Sequence, residues 1–327
     1  MRHTKCPDNP GDSTPVLVFR NLTGHRTILG VQSHCIMSTK HARSSGKVDR
    51  RTFFKAGLLS STALALGTPG YSIAAVTKPE QPPYAGLKLG MASYTLRKFS
   101  LDQAIAMSKE AGALTISLKD FHLPYKTTKA ERQDARRKVE AAGLVLASGG
   151  VIYMKNNEDE IRSFFQYAQD AGMPTIVCSP DVEALDSVEK MVKHFNIRIA
   201  IHNHGPGDKK YPSPLDVLRL VKVRDKRMGV CIDVGHTVRI GEDPVEAIHE
   251  CADRLYDFHM KDETEATAKG KPVPVGCGVI DIVGVLKALK EIQYGYNIGL
   301  EYEEKENDPM PGVIESFGYM RGVLAAI

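Results

Sequence analysis

Four short apolar runs in the second half of the chain each end in a side chain that can bind a metal. They are RIAIHNHG (198–205), GVCIDVGH (229–236), LYDFHMKD (255–262) and IGLEYE (298–303). Each reads as a buried strand that passes into a loop at His202, Asp233, His259 and Glu301. Imidazoles and carboxylates arriving at one end of successive parallel strands make a mixed nitrogen and oxygen shell. Borderline divalent ions such as Zn²⁺ or Mn²⁺ accept that shell and keep positions open for water and substrate. Mg²⁺ is a further candidate. His204 competes with His202, because alternation along a strand points both the same way.

Other polar residues fall near the same ends. Lys261 lies two residues beyond His259 and shares its face, where an ammonium could steady an oxyanion or bind an acidic group. His236 follows Asp233 by three, close enough to orient it or to touch substrate. Lys119 and His122 follow an earlier strand and are placed with His204 as substrate-binding groups at the mouth. Glu303 is a weaker second carboxylate beside Glu301. His194 and His249 fall in helical segments and receive no role. A metal in this shell polarises a carbonyl and its neighbouring hydroxyl, which acidifies the carbon-bound proton between them. Glu301 or a nearby imidazole is the candidate base.

These residues need a scaffold that brings strand ends together. Apolar runs at 87–93, 113–118, 144–152, 174–178, 197–202, 228–233, 255–260 and 297–302 alternate with segments of helical period. Helices are predicted over 101–111, 129–142, 157–171, 216–223, 244–251 and 282–292. Gly112, Gly143 and Gly172 stand where helix terminators belong, and Ser213-Pro214 and Asp243-Pro244 read as cap and first turn. Eight such units over about 240 residues predict a (β/α)₈ barrel. An open doubly wound sheet would favour a glycine-rich phosphate loop after its first strand. Ser93-Tyr94-Thr95-Leu96-Arg97 supplies none.

Composition narrows the function classes. The 327 residues are 42% hydrophobic and 25% charged, an ordinary globular balance. Residues 1–75 carry ten Lys/Arg and three Asp/Glu, a charge of +7, which leaves −3 of the total +4 for the rest. A mildly acidic body gives no footprint for nucleic acid. The six cysteines form no CxxC pair, so a structural zinc knuckle is not expected.

The N-terminal charge has its own reading. Asp49-Arg50-Arg51-Thr52-Phe53-Phe54-Lys55 resembles a twin-arginine export signal, with Asp49 where a hydroxyl residue is usual. A moderately apolar stretch from Ala56 to Leu66 follows, too short to span a bilayer, and then small residues suit cleavage near Ala75. Translation from Met37 would give a signal of ordinary length. The expected organisation is an extension and signal over 1–75, a proline-rich linker over 76–86 and a barrel over 87–327. The mature protein is expected to be periplasmic or secreted, after engaging the twin-arginine translocase, without a stable membrane anchor.

From about Leu87 onward the chain resembles the sugar phosphate isomerase/epimerase family with the xylose isomerase-like barrel, through IHNHG, CIDVGH, DFHMKD and the Glu301 of GLEYE. That family includes ketose 3-epimerases, inosose dehydratases and hydroxypyruvate isomerases. The resemblance implies a divalent metal and a small sugar or polyol substrate. In the epimerases a Glu ends the fifth strand and shares acid/base work with the Glu ending the eighth; here His202 stands at that place. Pro274 to Asp281 resembles the family's Gly-x-Gly-x-Ile-Asp stretch and reads as a rim or lid, where Cys277 could be reactive. Two rival functions use the same barrel: metal-dependent hydrolysis of the endonuclease IV-like type, and carbohydrate binding without catalysis.

Overall fold

The computed structural model describes residues 83–327. The twin-arginine stretch and the cleavage site lie outside the described residues. From the N-terminus the elements run β1 (Lys88–Ala92), α1 (Leu101–Ala111), β2 (Thr115–Leu118), α2 (Lys129–Ala141), β3 (Val145–Met154), α3 (Glu158–Ala171), β4 (Thr175–Pro180) and α4 (Leu185–Phe195). They continue with β5 (Arg198–His202), α5 (Pro214–Val221), β6 (Met228–Asp233), α6 (Val234–Arg239), α7 (Pro244–Cys251), β7 (Leu255–Met260), the short β8 (Asp262–Glu263) and β9 (Pro272–Val273), α8 (Ile282–Glu291), β10 (Asn297–Leu300) and α9 (Met310–Ala326).

Eight strands close into a parallel barrel in the order β1-β10-β7-β6-β5-β4-β3-β2, so the predicted (β/α)₈ architecture is the observed one. All eight predicted strands are present. Helices α4, α6 and α9 were not among the predicted helices. Among the described residues no helix is long and apolar enough to cross a membrane. Side-chain capping fixes where several helices begin. Ser100 with Gln103 and Thr128 with Glu131 form reciprocal capping boxes at α1 and α2. Gly112 and Gly172 end α1 and α3 in the left-handed conformation that glycine adopts without cost.

The barrel interior beneath the mouth is partly polar, and Ser148, Asp257, Asn297 and Thr115 form one bonded network there. Ser148 Oγ donates to Asp257 Oδ2 at 2.6 Å, and Asn297 Nδ2 donates to Asp257 Oδ1 at 3.0 Å. Thr115 Oγ1 donates to Asn297 Oδ1 at 2.6 Å. Gly90 on β1 makes room for this crossing, since a Cβ there would lie 2.0 Å from Thr115 Oγ1. Burial raises the Asp257 carboxyl pKa, but its hydrogen bonds keep it part of a closed network. Beside it Val151, Val177, Ala200 and Cys231 form a small apolar packing layer. This floor holds the strand ends above it in register: Asp233 lies opposite His259 across β6 and β7.

The segment after β7 is tied down by one carboxylate. Asp262 is 1% exposed. Its oxygens accept backbone N–H groups from Glu263 (2.9 Å), Gly276 (2.9 Å), Gly278 (2.9 Å) and Ile280 (3.1 Å). The β8–β9 pair, absent from the sequence expectation, closes the base of the same segment. The stretch read as a rim or lid is therefore anchored over 276–280. Its Cys277 thiol is raised by burial and by Glu315, which it meets at 3.5 Å, so it is not an activated nucleophile. Next to Asp262, Glu263 is buried with Oε2 unpartnered, and burial pushes its carboxyl up to about 7 against the pull of Arg239 and Lys261.

Two outcomes follow for stability. Replacing Asp262 by Ala strands buried N–H donors and is expected to cost about 3 kcal/mol in urea unfolding, with a loss below about 1 kcal/mol counting against the anchor. Glu263 keeps its proton in the folded chain at pH values where the unfolded chain has released it, between its ordinary 4.5 and about 7. Stability from this group is therefore full below pH 4.5 and lost as pH rises through 7. Unfolding at pH 5 and pH 8 should show Glu263→Gln gaining on the parent at the higher pH; equal gaps at both would refute the assignment.

Candidate metal and active site

Four predicted ligands converge. One donor atom each from His202, Asp233, His259 and Glu301 lies within 4.8 Å of all the others, and all four residues are buried. His202 ends β5 and Asp233 ends β6. His259 sits one residue before the end of β7, and Glu301 directly follows β10, where its N–H donates to the Met260 carbonyl at 3.0 Å. His202 Nε2 and His259 Nδ1 face each other at 3.0 Å. Asp233 Oδ2 lies 3.5 Å from His202 Nε2, and Glu301 Oε2 lies 3.3 Å from His259 Nδ1. Asp233 Oδ2 is buried without a hydrogen bond of proper geometry. Two carboxylates and two imidazole nitrogens converging within a few ångströms in a buried pocket fit a divalent cation. The other compact grouping of such donors among the described residues is His202–Cys231–His259, which shares two members. Burial holds the Cys231 thiol far above its usual range.

Asp233 is fixed from two sides. Its Oδ1 caps α6 by accepting the His236 N–H at 2.9 Å. Its own N–H donates to Asn203 Oδ1 at 2.8 Å, while Asn203 Nδ2 donates to Thr237 Oγ1 at 3.2 Å. Asn203 is fully buried and bolts the end of β5 to the β6–α6 turn. The sequence analysis quoted the Ile-His-Asn-His-Gly stretch but assigned nothing to this Asn. Gly205 completes the joint, because a Cβ there would meet the His236 carbonyl oxygen at 2.9 Å.

Lys261 inserts among the carboxylates. Its Nζ lies 2.9 Å from Glu301 Oε2 and 3.1 Å from Asp233 Oδ2, and it pairs with Glu303. Burial disfavours the ammonium, but these three carboxylates outweigh it and hold Lys261 far above its usual range. Three carboxylates against one ammonium leave two negative charges, which one divalent ion balances. Burial raises the Asp233 and Glu301 carboxyls, yet Lys261 and the neighbouring histidines pull both well below the usual range. Burial, with repulsion from His259 and His204, keeps His202 neutral. Burial also lowers His259, but Glu301, Asp257 and Asp233 together raise it.

The remaining predicted residues divide. The structure separates His202 from His204: the latter lies past the strand end, with Nε2 3.2 Å from the Tyr153 hydroxyl and Nδ1 3.6 Å from Asp208. Its ring centroid is 4.6 Å from that of His202, so it stands beside the cage rather than in it. The His236 ring lies 5.8 Å from His202 and leaves Nδ1 unpartnered. Burial lowers the pKa of both His204 and His236. Lys119 extends over the Tyr94 ring at 5.5 Å. His122 is placed otherwise than expected. Its Nε2 lies 3.1 Å from the Phe99 carbonyl, and its ring lines a cavity of about 460 Å³ with residues of α1 and α2, none of them from the cage. The turn after β2 directs Phe121, not His122, outward. Tyr153, which touches His204, went unnoticed because the predicted third strand stopped at 152.

Comparisons with known proteins agree with the barrel fold. The description "Xylose isomerase-like TIM barrel" matches residues 105–323. An inosose dehydratase from Geobacillus kaustophilus (strain HTA426) is 25% identical over 225 residues, covering 53% of this chain and 71% of that protein. A solved L-ribulose 3-epimerase superposes with a TM-score of 0.61 at 15% identity, over 73% of this chain and 94% of its own. The 3-keto-D-glucoside 4-epimerase from E. coli gives 0.60 at 15% identity, over 72% and 99%. At such identities the solved structures speak for the fold alone. With two thirds of its length matched by that one description, and a closed barrel carrying its polar centre at the strand ends, the chain belongs to the xylose isomerase-like TIM barrel family.

Proposed function

We propose that the protein is a divalent-metal-dependent isomerase, epimerase or related dehydratase acting on a sugar or polyol by proton transfer beside a carbonyl. The observation that carries this reading is the buried convergence of His202, Asp233, His259 and Glu301 with Lys261 alongside. Those four residues would hold the ion, which would supply Lewis-acid polarisation of a carbonyl and an adjacent hydroxyl. The surrounding chain does the rest. Lys261 keeps its charge and offsets the negative charge that develops on oxygen as the carbon-bound proton leaves. Glu301 is the candidate base on the Lys261 side. His236 and His204, kept neutral by burial, are free to accept a proton or a substrate hydroxyl on the other. Returning the proton to the neighbouring carbon gives an isomer, and returning it to the other face gives an epimer. Expelling a hydroxyl from the next carbon gives a dehydrated product.

Export belongs to the same reading. The resemblance around Arg50 and Arg51 supports passage through the twin-arginine translocase to the periplasm or beyond. Changing both to Lys should leave uncleaved precursor in the cytoplasm, seen by fractionation and N-terminal mass spectrometry. Unaltered export would remove the claim.

Metal analysis of the mature protein should find close to one ion per chain. Loss of the orienting Asn203 (Asn203→Ala) is expected to weaken metal affinity by about 10–100-fold, measured by competition with a chelating dye. Keto-sugars incubated in D₂O should gain deuterium at carbon. Lys261→Met should slow that exchange by about 10²–10³-fold, mostly in kcat, with Glu301→Gln at least as damaged. Bound metal without exchange on any sugar would instead favour hydrolysis or simple binding.

A further inference from the structure

The cage occupies one side of the barrel mouth, at the ends of β5, β6, β7 and β10. The opposite side, after β1, β2 and β3, carries aromatic rings. Tyr94 follows β1, Phe121 follows β2, and Tyr153 is the penultimate residue of β3. Phe121 is 44% exposed and Tyr153 58% exposed. The Tyr94 and Phe121 centroids are 6.3 Å apart, and Tyr94 is backed by Arg97 at 4.7 Å. Tyr153 joins this side to the cage: its ring lies 5.8 Å from His204, whose ring lies 4.6 Å from His202. Most other exposed large apolar side chains are aliphatic, among them Val145, Val182, Val223 and Val279. Single exposed residues of that kind need no explanation, whereas grouped rings at the rim of a polar centre do.

A sugar ring has one face rich in C–H bonds and a rim of hydroxyls. Aromatic faces match the first. The Lys119 ammonium over Tyr94, the Tyr153 hydroxyl and the His204 imidazole match the second. Tyr153 stands one imidazole away from the cage, so a single ring gripped by the cage reaches only the near end of the aromatic side. Resting on the sugar reading above, we infer that Tyr94, Phe121 and Tyr153 form a subsite for a second, glycosidically linked sugar ring. The preferred substrate is then a glycoside or disaccharide whose reacting ring sits at the cage.

Calorimetric titration of the metal-loaded mature protein tests this with D-fructose against isomaltulose, turanose and lactulose, and with methyl against phenyl β-D-glucoside. At least one disaccharide should bind about 10-fold more tightly than D-fructose. Phe121→Ala and Tyr153→Ala should bring that ratio close to one, while Tyr153→Phe, which keeps the ring, should preserve it. Thermal melting verifies that each variant is folded. A ratio near one in the parent, a ratio that survives both alanine variants, or a gain with the phenyl glucoside alone overturns the subsite. Deuterium exchange on keto-monosaccharides without disaccharide preference sinks the second-ring subsite and leaves the enolising enzyme standing. No sugar binding and no exchange sinks both.

Discussion

The top of this barrel depends on a buried ammonium held between carboxylates. Lys261 is 3% exposed, and Asp233 and Glu301, which it contacts, are 0% and 7% exposed. Moving such ions out of water costs several kcal/mol each, and their mutual attraction offsets this only when the geometry is closed on all sides. The four residues of the cage and the lysine therefore stand as one electrostatic unit, and much of the surrounding structure serves to keep them there. Asn203 and the α6 cap lock Asp233, and the bonded floor at Asp257 keeps β3, β7 and β10 aligned below. Asp262 fixes the chain one residue after the lysine. A slip of one residue along β7 would turn His259 and Lys261 out of the interior together, because their faces alternate with period two.

His202 changes the charge of this unit. A carboxylate at the end of β5 would add a third negative ligand to the cage. A neutral imidazole leaves Asp233 and Glu301 as the anionic members of the cage, and Glu303 pairs with Lys261 from outside it. The ammonium is thus drawn toward β10, and the β5 side is left to imidazoles.

Much of this was legible in the sequence, and the reasons are physical. Strands buried on both faces must be apolar along their length, so a polar donor at the end of such a run stands out, as at Asp233 and His259. Parallel strands bring those ends to one mouth, which makes convergence of the four predictable without coordinates. What escaped was set by loop path and by short contacts. Nothing in Lys119-Asp120-Phe121-His122 says which of Phe121 and His122 faces outward, and the Phe99 carbonyl decides it. Asn203 acts through bonds to residues 30 and 34 positions away. The β8–β9 pair is two residues long on each side, below any pattern that periodicity can register. Helix α4 was readable: Leu185, Val188, Met191 and Val192 lie on one buried face.

The asymmetry of the site bears on the direction of proton movement. Beside β10, Glu301 is held ionised by the Lys261 ammonium, which does not give up its proton. On the β5 and β6 side, three imidazoles crowd within 6.1 Å of one another in a desolvated patch, where none gains by becoming charged alone. In the proposed reaction a carboxylate stabilised by Lys261 would be a weak base at rest, able to take a carbon-bound proton only as charge builds on the neighbouring oxygen. That coupling would tie proton removal to stabilisation of the oxyanion by the same lysine. The neutral imidazoles opposite are better suited to exchanging protons with hydroxyls than with carbon. Within the proposed function, such a division would favour one carbon acid/base residue over two symmetric ones, and with it transfer along one face of the substrate or loss of a hydroxyl rather than inversion between two matched carboxylates.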